Sequence, residues 1–194
     1  VDLSGRSSGV RNEQFGAQRL KDAIVDQFRT KGLSRPTVDL KAPDVRVHAR
    51  LHRGVLSLAI DLSGDSLHRR GYRLDGGLAP LKENIAAAAL WAAGWSSGCA
   101  QEQALIDPMC GSSTLLLEGA LMALDRAPGL TRERFGFTGW GGHDEGQWRA
   151  IFSEASERAR AGAATSLEIR GYDGDIQAVR RSQHNIQRLG LEQV

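Results

Sequence analysis

One arrangement occurs twice in this chain and limits the folds open to it: an apolar strand that ends on a carboxylate and turns at once into a helix. Ala104, Leu105 and Ile106 lead to Asp107, and the chain then turns through Pro108, Met109, Cys110, Gly111, Ser112, Ser113 and Thr114. A helical run follows, with Leu117, Ala120, Leu121 and Leu124 at the spacing of a buried stripe. Residues 166–172 read as a second such strand, ending at Asp173. Asp175 then caps a helix carrying Ile176, Val179, Ile186 and Leu189, which stops at Gly190. Repetition of strand, acid and helix predicts a parallel α/β sheet, with Asp107 and Asp173 at neighbouring carboxyl ends of strands, the usual binding crevice of open sheets.

Upstream the pattern changes. Residues 1–11 are rich in Gly, Ser and Arg and carry no periodicity. Phe15, Leu20, Ile24 and Phe28 mark an amphipathic helix over 12–30, closed by Lys31-Gly32. Residues 37–40, 45–51 and 55–62 read as strands, the last two joined in a hairpin through His52-Arg53-Gly54. In the middle strand Val45, Val47, Ala49 and Leu51 share one face, so Arg46, His48, Arg50 and His52 share the other. That basic face suits either solvent or RNA. Four residues along a strand place His48 and His52 roughly 13 Å apart, too far for a shared metal.

Residues 64–77 contain His68, Arg69, Arg70 and Arg73 around Tyr72, and read as too rich in glycine and charge for a core. The segment is expected to link two domains, to contact RNA, or both. A helix is expected from Pro80 to Ala93, burying Leu81, Ile85, Ala88, Ala89 and Ala92, with a small polar loop over 94–103. Residues 131–146 look loop-like despite Phe135, Phe137 and Trp140. His143-Asp144-Glu145 reads as the start of a helix whose stripe is Trp148, Ile151, Phe152, Ala155 and Ala159.

The ligand expected at the paired acids follows from their chemistry. A loop with little side-chain bulk lets a small molecule approach the backbone, and the next helix offers unpaired N–H groups and a positive dipole end. Asp107 adds a negative charge there, which favours a ligand carrying both an ammonium and a carboxylate. Asp173, with Asp175 in reserve, is the position of an acid that holds a ribose by its hydroxyls. S-adenosylmethionine uses every part of such a site. A nicotinamide dinucleotide is the rival, but the loop lacks the third glycine of G-x-G-x-x-G, and the second acid comes far beyond the roughly 20-residue offset. No Gly-Lys-Ser/Thr of a Walker loop is present.

The hydrophobic content of 41% supports a real core, and a formal net charge of +2 means that any nucleic-acid footprint comes from local clustering. Cys99 and Cys110 have no zinc-ligand or disulfide spacing, which fits a reducing, cytoplasmic setting and no metal. No apolar run approaches the roughly 20 residues that span a bilayer, so no membrane association is expected.

Six stretches, at 11–28, 35–73, 79–90, 107–130, 135–148 and 171–191, resemble the bacterial 23S rRNA guanine-N2 methyltransferase family of the RlmL type. They include DPMCGSSTLLLEGALMALDRAPGL and GYDGDIQAVRRSQHNIQRLGL. The resemblance implies an α/β chain in which an incomplete class I, Rossmann-like methyltransferase sheet follows the α+β C-terminal part of a THUMP domain. The implied boundaries are 1–66 for the THUMP part, 67–79 for a linker and 80–194 for the N-terminal, cofactor-binding part of the methyltransferase.

The implied cofactor is S-adenosyl-L-methionine, held by residues 107–114 with Asp173 on the ribose; Glu118 falls in the same motif. Large-subunit precursor rRNA is the implied partner, with Arg46, Arg50, Arg69, Arg70 and Arg73 as candidate RNA contacts. An RNA-binding module without catalysis is the alternative reading. Two departures stand out. Ser113 occupies the second glycine of the family's D-P-M-C-G-S-G-T, where its side chain is expected to weaken cofactor binding. Gly171-Tyr172-Asp173-Gly174-Asp175 replaces G-S-D-I-D. The family's N/D-P-P-Y motif, which orients the guanine amine, is not in these residues, so the chain reads as a fragment that is inactive by itself.

Overall fold

The structure is a computed structural model describing residues 1–6, 9–73 and 81–192. It divides into two compact units: Val1–Asp65 with Arg134–His143, and Ser66–Glu133 with Asp144–Val194. The expected helix start at Pro80 and residues 74–79 of the expected linker lie outside the described residues. Among the described residues no helix is long and apolar enough to cross a membrane.

The first unit is a three-stranded sheet with one helix. Strand β1 (Asp2–Ser4) pairs in parallel with β2 (Arg46–His52), which pairs antiparallel with β3 (Val55–Asp61). Three residues are too short for an alternation, which is why β1 left no sign in the sequence. Between β2 and β3, Arg53 and Gly54 both have positive φ, 49° and 79°, as a two-residue hairpin turn requires. Helix α1 (Glu13–Thr30) begins where the Asn12 side chain accepts the Phe15 N–H at 3.1 Å.

Its contacts are narrower than expected: Gly16 and Val25 are buried, whereas Phe15 and Phe28 are exposed. The strand expected over 37–40 does not form. Asp39 Oδ1 instead accepts the N–H groups of Lys41 and Ala42, making a turn, and Val38 and Leu40 face solvent.

Residues 134–143, read as loop-like, complete this unit. The Phe137 N–H donates to Leu62 O, Arg134 donates to Pro43 O and Asp44, and the rings of Phe135 and Phe137 stack 5.2 Å apart. The chain therefore leaves the first unit at residue 65, returns at 134 and leaves again after 143.

The second unit is built around α3 (Thr114–Ala123), which is buried on nearly every side. Strands β4 (Leu105–Asp107) and β5 (Ile169–Gly171) pair in parallel, as the repeated arrangement predicted. Leu117, Ala120, Leu121 and Leu124 form the expected stripe, packed with Tyr72, Leu189 and Leu191. The other flank of α3 meets Leu90, Trp95 and Ala100. At Gly119 a Cβ would come within 2.4 Å of the tip of the Leu105 side chain, so the Leu105 side chain packs directly over this glycine. Trp95, in the expected polar loop, anchors there by donating its indole N–H to Gly119 O at 2.9 Å.

Helices α2 (Glu83–Ala92), α4 (Glu145–Gly162) and α5 (Ile176–Leu189) complete the unit. The expected face of α2 is corrected. Glu83, Ala86 and Leu90 point inward, and Ile85, Ala88 and Ala89 point out, because Glu83 is drawn in by an ion pair with Arg73. Asp175 caps α5 as expected, and α4 starts where the 143–145 reading placed it, with Asp144 as its cap. On α4, however, Ile151 and Phe152 are exposed and no residue is fully buried, so its stripe is only half used.

The largest correction concerns Tyr72. Far from lying in a solvated linker, it is 1% exposed and the most buried large side chain described.

Candidate functional site

The two acids stand where the repeated arrangement places them. In the β4–β5 register Asp107 lies opposite Gly171, and Asp173 comes two residues later. The Asp107 carboxylate accepts the Met109 N–H at 3.0 Å, which starts the turn. Main-chain bonds fasten the turn to β5: Cys110 N–H donates to Tyr172 O at 2.8 Å, and Tyr172 N–H to Asp107 O at 2.9 Å.

Each of the next four residues receives a polar contact from outside the loop. Gly111 N–H donates to Asp173 Oδ2 at 2.8 Å. Asn185 Nδ2 donates to Ser112 O at 3.0 Å. The hydroxyls of Ser113 and Ser182 hydrogen-bond each other. Arg73 donates to Thr114 Oγ1 at 2.7 Å. Three of these partners come from the β5–α5 arrangement and one from the segment before α2.

Gly111 and Ser113 both adopt left-handed backbone, with φ of 56° and 62°. At Gly111 a Cβ would meet nothing within 4 Å, so the loop presents bare backbone to open space. Ser113 is 3% exposed. Its hydroxyl turns toward α5, where it meets the hydroxyl of Ser182. Pro108 and Met109 are exposed, and Cys110 and Ser112 are half-buried.

Asp173 accepts a main-chain N–H on each of its carboxylate oxygens. N–H groups of Asp175 and Gly111, with the Arg181 guanidinium nearby, hold its carboxyl below the ordinary 3.8. Each oxygen accepts one N–H, and a carboxylate oxygen has two acceptor positions, so two remain for a diol. Asp175 uses one oxygen on the Gln177 N–H as a helix cap and the other on Arg181, which makes it part of the α5 terminus.

Behind the loop is a second polar cluster that the sequence did not announce. Tyr72 OH donates to Glu118 Oε1 at 3.1 Å, and Arg70 reaches Glu118 Oε2 at 3.4 Å. Burial pushes the Glu118 carboxyl above its ordinary value against the pull of Arg70 and Tyr72, and burial likewise pushes the Tyr72 phenol up. Arg73 also donates to Leu81 O and pairs with Glu83 at 3.5 Å. Arg70 and Arg73, expected to face RNA, are therefore turned into the protein, with side chains 14% and 11% exposed. The spacing R-x-x-R around a tyrosine gave no sign of this, because the acids they meet lie on helices ten or more residues away.

Of the other basic candidates, Arg50 and Arg69 are exposed and Arg46 is half-buried. His48, between Arg46 and Arg50, lies against Asp2 and Asp61 at 3.7 and 3.4 Å.

Comparison with known proteins gives this geometry a context. A family described as RMKL-like, methyltransferase domain, matches residues 70–194, and the THUMP domain family matches 1–61. The ribosomal RNA large subunit methyltransferase K/L of Saccharophagus degradans is 53% identical over 195 residues, covering 100% of this chain and 26% of that protein. Its counterpart in Pseudomonas aeruginosa is 53% identical over 192 residues, again 26% of its length. The chain thus spans about a quarter of the curated relatives it matches.

Among solved structures, SMU.472, a putative methyltransferase complexed with SAH, superposes with a TM-score of 0.82 at 29% identity, over 100% of this chain and 49% of that one. A predicted N6-adenine-specific DNA methylase from Listeria monocytogenes superposes at 0.80 and 29% identity, over 98% and 48%. With an α/β methyltransferase unit on two parallel strands and a THUMP match ahead of it, the chain belongs to the RMKL-like methyltransferase family.

Proposed function

We propose that this chain is the RNA-guiding and cofactor-binding part of a methyltransferase that moves a methyl group from S-adenosylmethionine to N2 of a guanine in large-subunit rRNA. The observation that carries the reading is the pair of acids at adjacent strand ends facing a loop whose Gly111 is open to solvent. Asp173 would take the ribose hydroxyls on its two remaining acceptor positions. Asp107 and the α3 N-terminus would take the amino-acid end, ammonium and carboxylate respectively.

The bound cofactor supplies an electrophilic methyl group on a sulfonium. The residues here bind and orient it, which is most of what an in-line transfer asks of the protein. We place the boundary between the RNA-guiding and cofactor parts near residue 66. For RNA contact we retain Arg46, Arg50 and Arg69 and withdraw Arg70 and Arg73, whose charges are used internally.

The test is methyl transfer to large-subunit rRNA lacking the modification. A full-length relative carrying these residues is expected to yield N2-methylguanine. The 194-residue chain, whose sequence contains no Asn/Asp-Pro-Pro-Tyr, is expected to bind cofactor without transferring methyl. Methylation at another atom by the full-length protein would refute the guanine assignment.

A further inference from the structure

We propose that Ser182 and Asn185 of α5 are positioning residues for the cofactor loop, and that Ser182 is what allows a serine at position 113. The inference rests on the reading of residues 107–114 as that loop.

Ser113 combines two costs. Its backbone is left-handed, a conformation that favours glycine, and its hydroxyl is buried and needs a partner. A cavity of about 300 Å³ lies between α3 and α5, with Ser113 and Ser182 on its wall beside Leu116, Ala120 and Val179. Polar contacts from α5 hold the loop on this side.

Two of those contacts come from one face of α5, three residues apart: Ser182 takes the Ser113 hydroxyl, and Asn185 takes the Ser112 carbonyl. Both side chains are buried, at 7% and 4% exposure, and neither touches the open side of Gly111. They therefore act on the loop rather than on a ligand. Ser182 satisfies the one group that a glycine at 113 would not bring, so the two serines form a matched pair.

The test uses the full chain and the variants Ser182→Ala, Ser113→Gly, their combination, and Asn185→Ala alone and with Ser113→Gly. Two quantities are measured: affinity for S-adenosylhomocysteine, and hydrogen exchange of the amides at 110–114 without ligand. Ser182→Ala leaves a buried hydroxyl unpaired and is expected to weaken affinity and speed loop exchange by about tenfold. Adding Ser113→Gly removes that hydroxyl and is expected to restore both to within about threefold of wild type. Asn185→Ala is expected to resemble Ser182→Ala but not to be rescued by Ser113→Gly.

Unchanged loop exchange in Ser182→Ala, or a double variant no better than the single, overturns the inference, even if melting temperatures fall. If the wild-type chain binds no S-adenosylhomocysteine, the cofactor reading is what fails, and the exchange comparison still decides whether the serine pair holds the loop.

Discussion

Asp173 Oδ2 accepts the Gly111 N–H at 2.8 Å, so the acid that ends one strand holds the open glycine of the loop that follows the other. The same carboxylate fixes the start of α5 through the Asp175 N–H. Two acids separated by 66 positions in sequence, Asp107 and Asp173, thereby become parts of one turn.

Replacing Asp173 by asparagine tests this directly, because an amide cannot accept two main-chain N–H groups on separate oxygens. Asp173→Asn is expected to retain the fold and lose measurable S-adenosylhomocysteine binding. Circular dichroism and calorimetric titration check the two halves of that statement.

The low carboxyl pKa of Asp173 makes a pH prediction with a definite sign. A depressed folded pKa contributes stability that is fully present above the unfolded value, near 3.8, and is lost as pH falls through the lower folded value. The stability difference between wild type and Asp173→Asn is therefore expected to be constant from pH 5 upward, on the scale of ordinary carboxylate titration, and to shrink below about pH 4. Urea unfolding at a series of pH values measures it. A difference that grows on acidification would contradict the assignment.

Arg73 links Thr114, Leu81 and Glu83 in a nearly closed environment. Arg73→Ala leaves Glu83 buried without its partner and is expected to cost about 3 kcal/mol, a fall of roughly 6–12 °C in melting temperature. Thermal unfolding gives the value; a fall of under about 2 °C would show that the ion pair holds little.

Tyr72→Phe keeps the ring and removes the donor to Glu118. The expected loss is about 1–3 kcal/mol, the cost of a buried acceptor left short of a bond. Tyr72→Ala is expected to cost about 3–5 kcal/mol, because it also empties the core. Denaturant unfolding of the two variants separates hydroxyl from ring.

The basic residues divide by direction, and RNA binding should divide with them. Arg50→Ala and Arg69→Ala are expected to weaken rRNA binding and to lower the salt slope by about one each, with unfolding unaffected. Arg73→Ala is expected to lower stability and leave rRNA binding and its salt slope unchanged. Filter binding across a salt series distinguishes the two groups.

Much of this architecture was legible because its signals are local. The helix starts near Asn12 and Asp144, the cap at Asp175, the hairpin at Arg53-Gly54 and the two strand-acid-helix repeats each lie within a few residues of sequence. What escaped depends on partners distant in sequence. Tyr72 is core because Glu118 supplies an acceptor for its hydroxyl, and Trp95 is core because the Gly119 carbonyl accepts its indole N–H. The inward face of α2 turns on Glu83 finding Arg73. The loop itself was readable from Asp107 to Thr114, but the side chains that hold it, Ser182 and Asn185, looked like ordinary helix residues.

The central claim is that residues 107–114 and Asp173 form an S-adenosylmethionine site. Calorimetric titration of the chain with S-adenosylhomocysteine, and separately with NAD, tests it most directly. The account predicts saturable one-to-one binding of S-adenosylhomocysteine that Asp173→Ala abolishes, with no heat from NAD. Absence of S-adenosylhomocysteine binding, or NAD binding that depends on Asp173, would contradict it.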